Sequence, residues 1–216
     1  MSMPASPTWL RAWVENNAVS AALRLLLCAA ALCGLPVSAA APVQLDISLA
    51  HGSSREQQTQ AQLENLLTRY DVSKWLVTDK IAIDEDAIPH SHPVLTLHTR
   101  HLKDDELLLS TFVHEQSHWF IAAHRDDMAA AETELRRLFP KLPLNYPEGS
   151  DTQKVNYEHL VIILIEWRAD RELFGELRAR QIMDFWAHDH YTTLYQLVLD
   201  HKAEIGKITA KHHLLP

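Results

Sequence analysis

The stretch that most constrains this chain is Leu107 to His124, LLLSTFVHEQSHWFIAAH. It contains His114-Glu115-Gln116-Ser117-His118, an H-E-x-x-H, and neither Gly nor Pro interrupts Glu106 to His124. The pattern predicts one helix. Asp104 and Asp105 give it the acidic start that a helix N-terminus favours. Phe112, Val113, Trp119, Phe120 and Ile121 give it apolar faces. Residues four apart on a helix lie one turn apart on the same face, about 6 Å between Cβ atoms. Two imidazoles at that spacing can offer nitrogens to one zinc ion. The glutamate next to the first histidine can reach a water on that ion without being a ligand, and can take its proton. His114 and His118 are therefore candidate ligands, and Glu115 a candidate general base. The bland alternative is a core helix whose histidines are only hydrogen-bonded, so the motif needs a second half.

That half lies in Glu166-Trp167-Arg168-Ala169-Asp170, directly after the apolar run Leu160 to Ile165. Charged groups beside such a run are costly to bury unless they have partners. Glu166 and Asp170 are four apart and share a face. His159, seven residues before Glu166, falls within about 20° of that face. Three polar residues thus form one stripe on an otherwise apolar helix, and a zinc site on the neighbouring helix would satisfy all three. Pairing of Glu166 and Asp170 with Arg168 or Arg171 is the plain alternative.

H-E-x-x-H followed by E-x-x-A-D on a later helix resembles the gluzincin metallopeptidases, most closely the branch similar to CAAX prenyl proteases. The resemblance implies a zincin-like α+β domain with His114, His118 and Glu166 as zinc ligands and Glu115 as base. It implies that Asp170 orients a ligand histidine through its other ring nitrogen. His159 has no fixed counterpart: it could replace Glu166 as third ligand, assist the oxyanion as a catalytic group, or support the site. Tyr157, Tyr191 and Tyr195 are further oxyanion candidates. The resembling positions are few, and that branch has transmembrane helices which the mature chain lacks.

The N-terminus reads as something other than fold. Arg11 and Arg24 precede the apolar run Leu25 to Leu35, and Gly34, Pro36 and Val37-Ser38-Ala39-Ala40-Ala41 follow. A basic start, a short apolar stretch and small residues form a secretory signal peptide over residues 1–40, and imply a periplasmic or secreted protein. An uncleaved anchor is disfavoured because spanning a bilayer takes about 20 apolar residues. Cleavage near Ala40 removes Cys28 and Cys33, leaving neither a disulfide nor a thiolate zinc site. About 175 residues remain, enough for the single domain expected over 41–216. The whole chain carries −8, and Arg11, Arg24 and Glu15 take +1 away, leaving −9 on the rest. An acidic domain argues against nucleic acid or anionic lipid as partner.

Along that domain, Ser53 to Tyr70 reads as an amphipathic helix. Trp75 to Val77, Lys80 to Asp84 and Val94 to His98 read as short strands, and Asp126 to Phe139 as a helix. A long helix opens at Ser150, where Ser150 and Gln153 fit a capping box, and weakens at Gly175. A last helical region runs from Met183 to about Ile208. Such an order predicts an α+β fold, a small sheet packed on the H-E-x-x-H helix and a second core helix. The histidines of His90-Ser91-His92 and His188-Asp189-His190 are read as solvated surface, able at most to bind a metal loosely. The expected function is an exported zinc peptidase acting on peptide or protein. Its rival is a non-catalytic zincin-fold domain that keeps zinc for stability and recognises a protein partner.

Overall fold

The structure, a computed structural model, describes residues 44–216; residues 1–43, and with them the signal-peptide expectation, lie outside the described residues. Three strands and six helices follow in the order β1 (Asp46–Leu49), α1 (Ser54–Arg69), β2 (Lys80–Ile83), β3 (Leu95–Leu97), α2 (Asp105–Ala123), α3 (Arg125–Leu138), α4 (Gln153–Phe174), α5 (Glu176–Trp186) and α6 (Thr192–Lys211). This is an α+β arrangement, as the sequence order implied. The sheet is parallel throughout, in the order β1-β2-β3, with Asp46 opposite Lys80 and Ile81 opposite Leu95. Parallel neighbours need a crossover, and α1 supplies it between β1 and β2. His90 then pairs antiparallel with Thr96 through two backbone bonds, 3.1 and 2.7 Å, and lays the loop before β3 along that strand.

Two strand expectations change. β1 was not anticipated, although Leu45 to Leu49 alternates apolar and polar. Trp75 to Val77 is no strand: Ser73–Trp75 is a 3-10 turn, and the backbone beyond it is captured by a side chain. Gln116 Oε1 accepts from the Val77 and Thr78 amides at 2.9 Å each, and its Nε2 donates to the Thr78 carbonyl at 2.8 Å. A buried glutamine of α2 thus satisfies groups that a sheet ladder would otherwise have to pair.

α2 begins two residues before Leu107 because Asp104 caps it, accepting from the Leu107 amide at 3.1 Å. It packs against α4 on one side and β3 on another. α4 also contacts α3, α5 and α6. Its residues Leu160 to Ile165 are all buried, the signature of a helix apolar all round at the centre of a core. The expected cap at Ser150 is displaced. Thr152 is the N-cap, and Gln153 instead brackets Leu142, accepting from its amide at 3.2 Å and donating to its carbonyl at 2.6 Å. Buried Asn156 staples the same loop, donating to the Pro143 carbonyl at 2.6 Å and accepting from the Ser150 amide at 2.7 Å. The loop passes so close that a Cβ on Gly149 would collide with the Pro143 carbonyl oxygen.

At the far end of α4 the chain turns through Gly175, whose φ of 85° suits a residue without Cβ. The helical region expected from Met183 to about Ile208 consists of two helices, α5 and α6. They are divided by a turn that ends at Tyr191 with φ 48° and ψ 35°. Among the described residues no helix is long and apolar enough to cross a membrane.

Candidate metal centre

α2 and α4 face each other with their polar stripes inward, and the stripes sort into two layers. In front, His114, His118 and His159 each bring one ring nitrogen within 4.8 Å of the others. The ring centroids are 5.2, 5.6 and 4.9 Å apart for the pairs 114–118, 114–159 and 118–159. The outer nitrogens of two of them are engaged. His159 Nδ1 lies 2.8 Å from the Val155 carbonyl, and His114 Nδ1 lies 2.9 Å from Glu166 Oε2. Such bonds fix ring orientation and leave Nε2 of both rings as the nitrogens a metal would meet. Three imidazole nitrogens fit the donor preference of zinc, whose catalytic sites take three protein ligands.

Glu166 therefore stands behind His114 rather than beside the other nitrogens. Its Oε2 also accepts from the Tyr195 hydroxyl at 2.9 Å, and its Oε1 accepts from Ser110 Oγ at 2.7 Å. Asp170 does not touch a histidine. Its Oδ2 lies 3.1 Å from Ser110 Oγ, whose single proton has Glu166 as its nearer acceptor, and its Oδ1 has no partner among the described residues. Trp186 Nε1 donates to the same serine at 3.2 Å. Ser110 lies four residues before His114, one turn down the same face; Trp186 and Tyr195 come from α5 and α6. Ser110, Glu166, Asp170 and Tyr195 are all essentially sealed from solvent.

Charge follows burial. Burial lowers His159 to about 3 and takes His118 well below its ordinary value, with neighbouring His114 adding to both. Burial opposes ionisation of His114 too, but the hydrogen bond and charge of Glu166 prevail and raise it. Burial pushes Glu115 up to about 7, His114 and His90 pulling the other way. Burial and the charge of Glu166 raise Asp170 well above the usual carboxylate range, against the Ser110 hydroxyl. The same two causes take the Tyr195 phenol upward.

In front of the imidazoles opens a cleft of about 550 Å³, to which Glu115, His190 and Tyr191 also contribute. The oxyanion candidates separate here. Tyr157 is buried with its hydroxyl on the Phe139 carbonyl at 2.5 Å, and Tyr195, which also borders the cleft, gives its hydroxyl to Glu166 in the rear layer at 2.9 Å. Tyr191 faces the cleft, its ring centroid 4.1 Å from that of His159. A left-handed backbone at a tyrosine costs on the order of 1–3 kcal/mol, a strain that concentrates at functional positions. His190, first read as surface, is part of a wired group: Asp189 Oδ2 lies 2.8 Å from its Nδ1, and Asp189 Oδ1 accepts from Arg100 at 2.7 Å. Neither Arg100 nor Asp189 stood out in the sequence, since 89 residues separate them and no periodicity links them. His90 lines the cleft as well, and His92 stacks on Trp119 at 4.2 Å. His188 stays exposed, its Nδ1 2.6 Å from the Asp184 carbonyl. A second His–Asp group, His51 with Asp84 and Asp86 at 3.3 and 3.4 Å, sits toward solvent, where such pairs are ordinary surface chemistry.

No family model, no curated protein and no solved structure matches this chain.

Proposed function

We propose that this chain is an exported zinc-dependent peptidase built on a zincin-like domain, with His114, His118 and His159 as the metal ligands. The observation that carries the reading is the convergence of three imidazole nitrogens within 4.8 Å, with Glu115 in the same cleft. A zinc ion held there would polarise a peptide carbonyl and acidify a water molecule. Glu115, raised to about 7, is matched to taking a proton from that water at neutral pH and passing it to the leaving amine. Tyr191, whose phenol is held protonated by burial and by the nearby charge of Glu115, is placed to donate to a developing oxyanion. His190, whose Nδ1–H is held by Asp189, stands on the same side and presents Nε2 as an acceptor. Glu166 does for His114 what the gluzincin resemblance implied for Asp170: it holds a ligand ring from behind. The proposed set thus keeps the helix, the ion and the base of that family and exchanges its third ligand.

The test is metal analysis of the purified protein together with turnover of peptide substrates by the wild type and Glu115→Gln. One zinc per chain is expected in both, with turnover reduced about 10²- to 10⁴-fold in the variant, as for loss of a general base. Zinc with no turnover in either would favour the non-catalytic domain; no zinc would end the metal reading.

A further inference from the structure

Resting on the peptidase reading, we infer that the substrate is an extended polypeptide lying across both sides of the metal, so that the bond cut is internal and neither chain end is read. His118 lines two clefts, not one. Beyond it from the 550 Å³ cleft lies a second of about 350 Å³, floored by Ile121, Ala122 and Ala129. One helix runs under both: α2 contributes Thr111, His114, Glu115 and His118 to the first and His118, Ile121 and Ala122 to the second. Thr111 to Ala122 is eleven steps along the helix, about 16 Å at 1.5 Å per residue. An extended peptide advances about 3.3 Å per residue, so roughly five substrate residues span that floor with the ligand histidines near its middle. One wall also serves both, since Ile88 to Ser91 border the first cleft and His92 the second.

An enzyme that reads a chain end needs one side of the metal closed within a residue or two, and a fixed charge there facing the terminal group. Neither side meets that description. Each cleft mixes both signs of charge: Arg100 is bonded to Asp189 at 2.7 Å in the first, and Arg125 and Lys154 share the second with Glu132 and Glu158, Lys154 lying 3.8 Å from Glu158. At the mouth of the first cleft stand two exposed apolar side chains, Ile88 at 82% and Tyr146 at 75% exposure. Unpaired apolar groups at a cleft rim suit apolar side chains of a passing polypeptide better than a charged terminus.

Two measurements test this, one independent of turnover. Zinc-loaded Glu115→Gln protein is titrated into a dye-labelled octapeptide, acetylated and amidated, and into a blocked tetrapeptide of its central sequence, followed by fluorescence anisotropy. The octapeptide should bind at least tenfold more tightly. Ala129→Trp, made at an exposed helix position to fill the second cleft, should remove that advantage while the zinc content stays at one. The wild type should cut the blocked octapeptide between interior residues. Equal affinity for both lengths, no effect of Ala129→Trp, or cleavage confined to peptides with a free end would overturn the inference. Length-dependent binding without any cleavage would support the two-sided cleft and sink the peptidase reading alone.

Discussion

The two polar layers between α2 and α4 are made by the same pair of helices, yet they are built for opposite ends. The front layer is three imidazoles and a carboxylate open to a cleft, with two of the imidazoles kept neutral by burial. The rear layer is two carboxylates, a phenol and a serine hydroxyl, with Trp186 closing it. Donors are scarce in front, which suits a site that must accept a cation. Behind, every hydroxyl lies against a carboxylate, so polar groups buried away from water find partners in one another. Among the described residues one hydrogen bond joins the layers, Glu166 to His114 at 2.9 Å. The contrast teaches that burial alone would leave all three imidazoles equivalent, and that the rear layer singles out one of them.

The sharpest way to break this comparison is to remove one member of each layer and follow zinc. His159→Ala should abolish tight zinc binding, because it leaves only two nitrogens. Glu166→Ala should keep stoichiometric zinc at saturation and weaken its affinity about 10- to 100-fold, the usual cost of losing a partner that orients a ligand. Competition with a chelator of known affinity separates the two. The reverse pattern would make Glu166 the ligand, as the gluzincin resemblance implies, and would undo the division into layers.

A smaller effect belongs to the rear layer alone. Tyr195→Phe takes from buried Glu166 one of its two hydroxyl donors. Leaving a buried acceptor short of a partner costs about 1–3 kcal/mol. Thermal or denaturant unfolding of the metal-free protein should register that loss, with zinc stoichiometry unchanged. Loss of zinc with unchanged stability would mean that the phenol serves the front layer directly.

The front layer was half legible in the sequence. His114, Glu115 and His118 share one helix, so their relation is fixed by spacing alone and needs no knowledge of the fold. The polar stripe His159, Glu166, Asp170 was equally legible. Which of its members reaches the ion was not, because that depends on how far α4 slides along α2. His159 and Glu166 lie about 10 Å apart along the helix axis, so a shift of two turns exchanges their roles. Ser110 was readable, one turn before His114, but a serine on a helix carries no signal until the carboxylates opposite are known. The cap of α4 and the segment after Trp75 were misplaced for one reason. In each, a glutamine side chain, Gln153 or Gln116, binds backbone across the fold, and no local pattern announces that. His190 escaped because Asp189 finds Arg100 only through tertiary packing.

The smallest predicted effect is the count of protons released when zinc binds, and it follows from the same asymmetry. His118 and His159 are neutral well below pH 7, because burial lowers both, so a metal displaces nothing from them. His114 is raised by Glu166, so it is the ring that still holds a second proton near neutrality. That proton sits on Nε2, since Nδ1–H is given to Glu166, and Nε2 is the atom the metal needs. Zinc affinity should therefore fall as pH drops through the raised value of His114, by about tenfold per unit for one displaced proton. Three ordinary histidines would instead lose about a thousandfold per unit below their shared pKa. Glu115, near 7, would add a fraction of a proton of its own, so the measurement belongs in the Glu115→Gln background. Calorimetric titration with zinc in buffers of different ionisation enthalpy should give about one proton below that pKa. Glu166→Gln removes the charge that raises His114, leaves burial to lower it, and should move the onset to lower pH. Release of two or three protons, or an onset indifferent to Glu166→Gln, would show that the rear layer does not set the charge of the front.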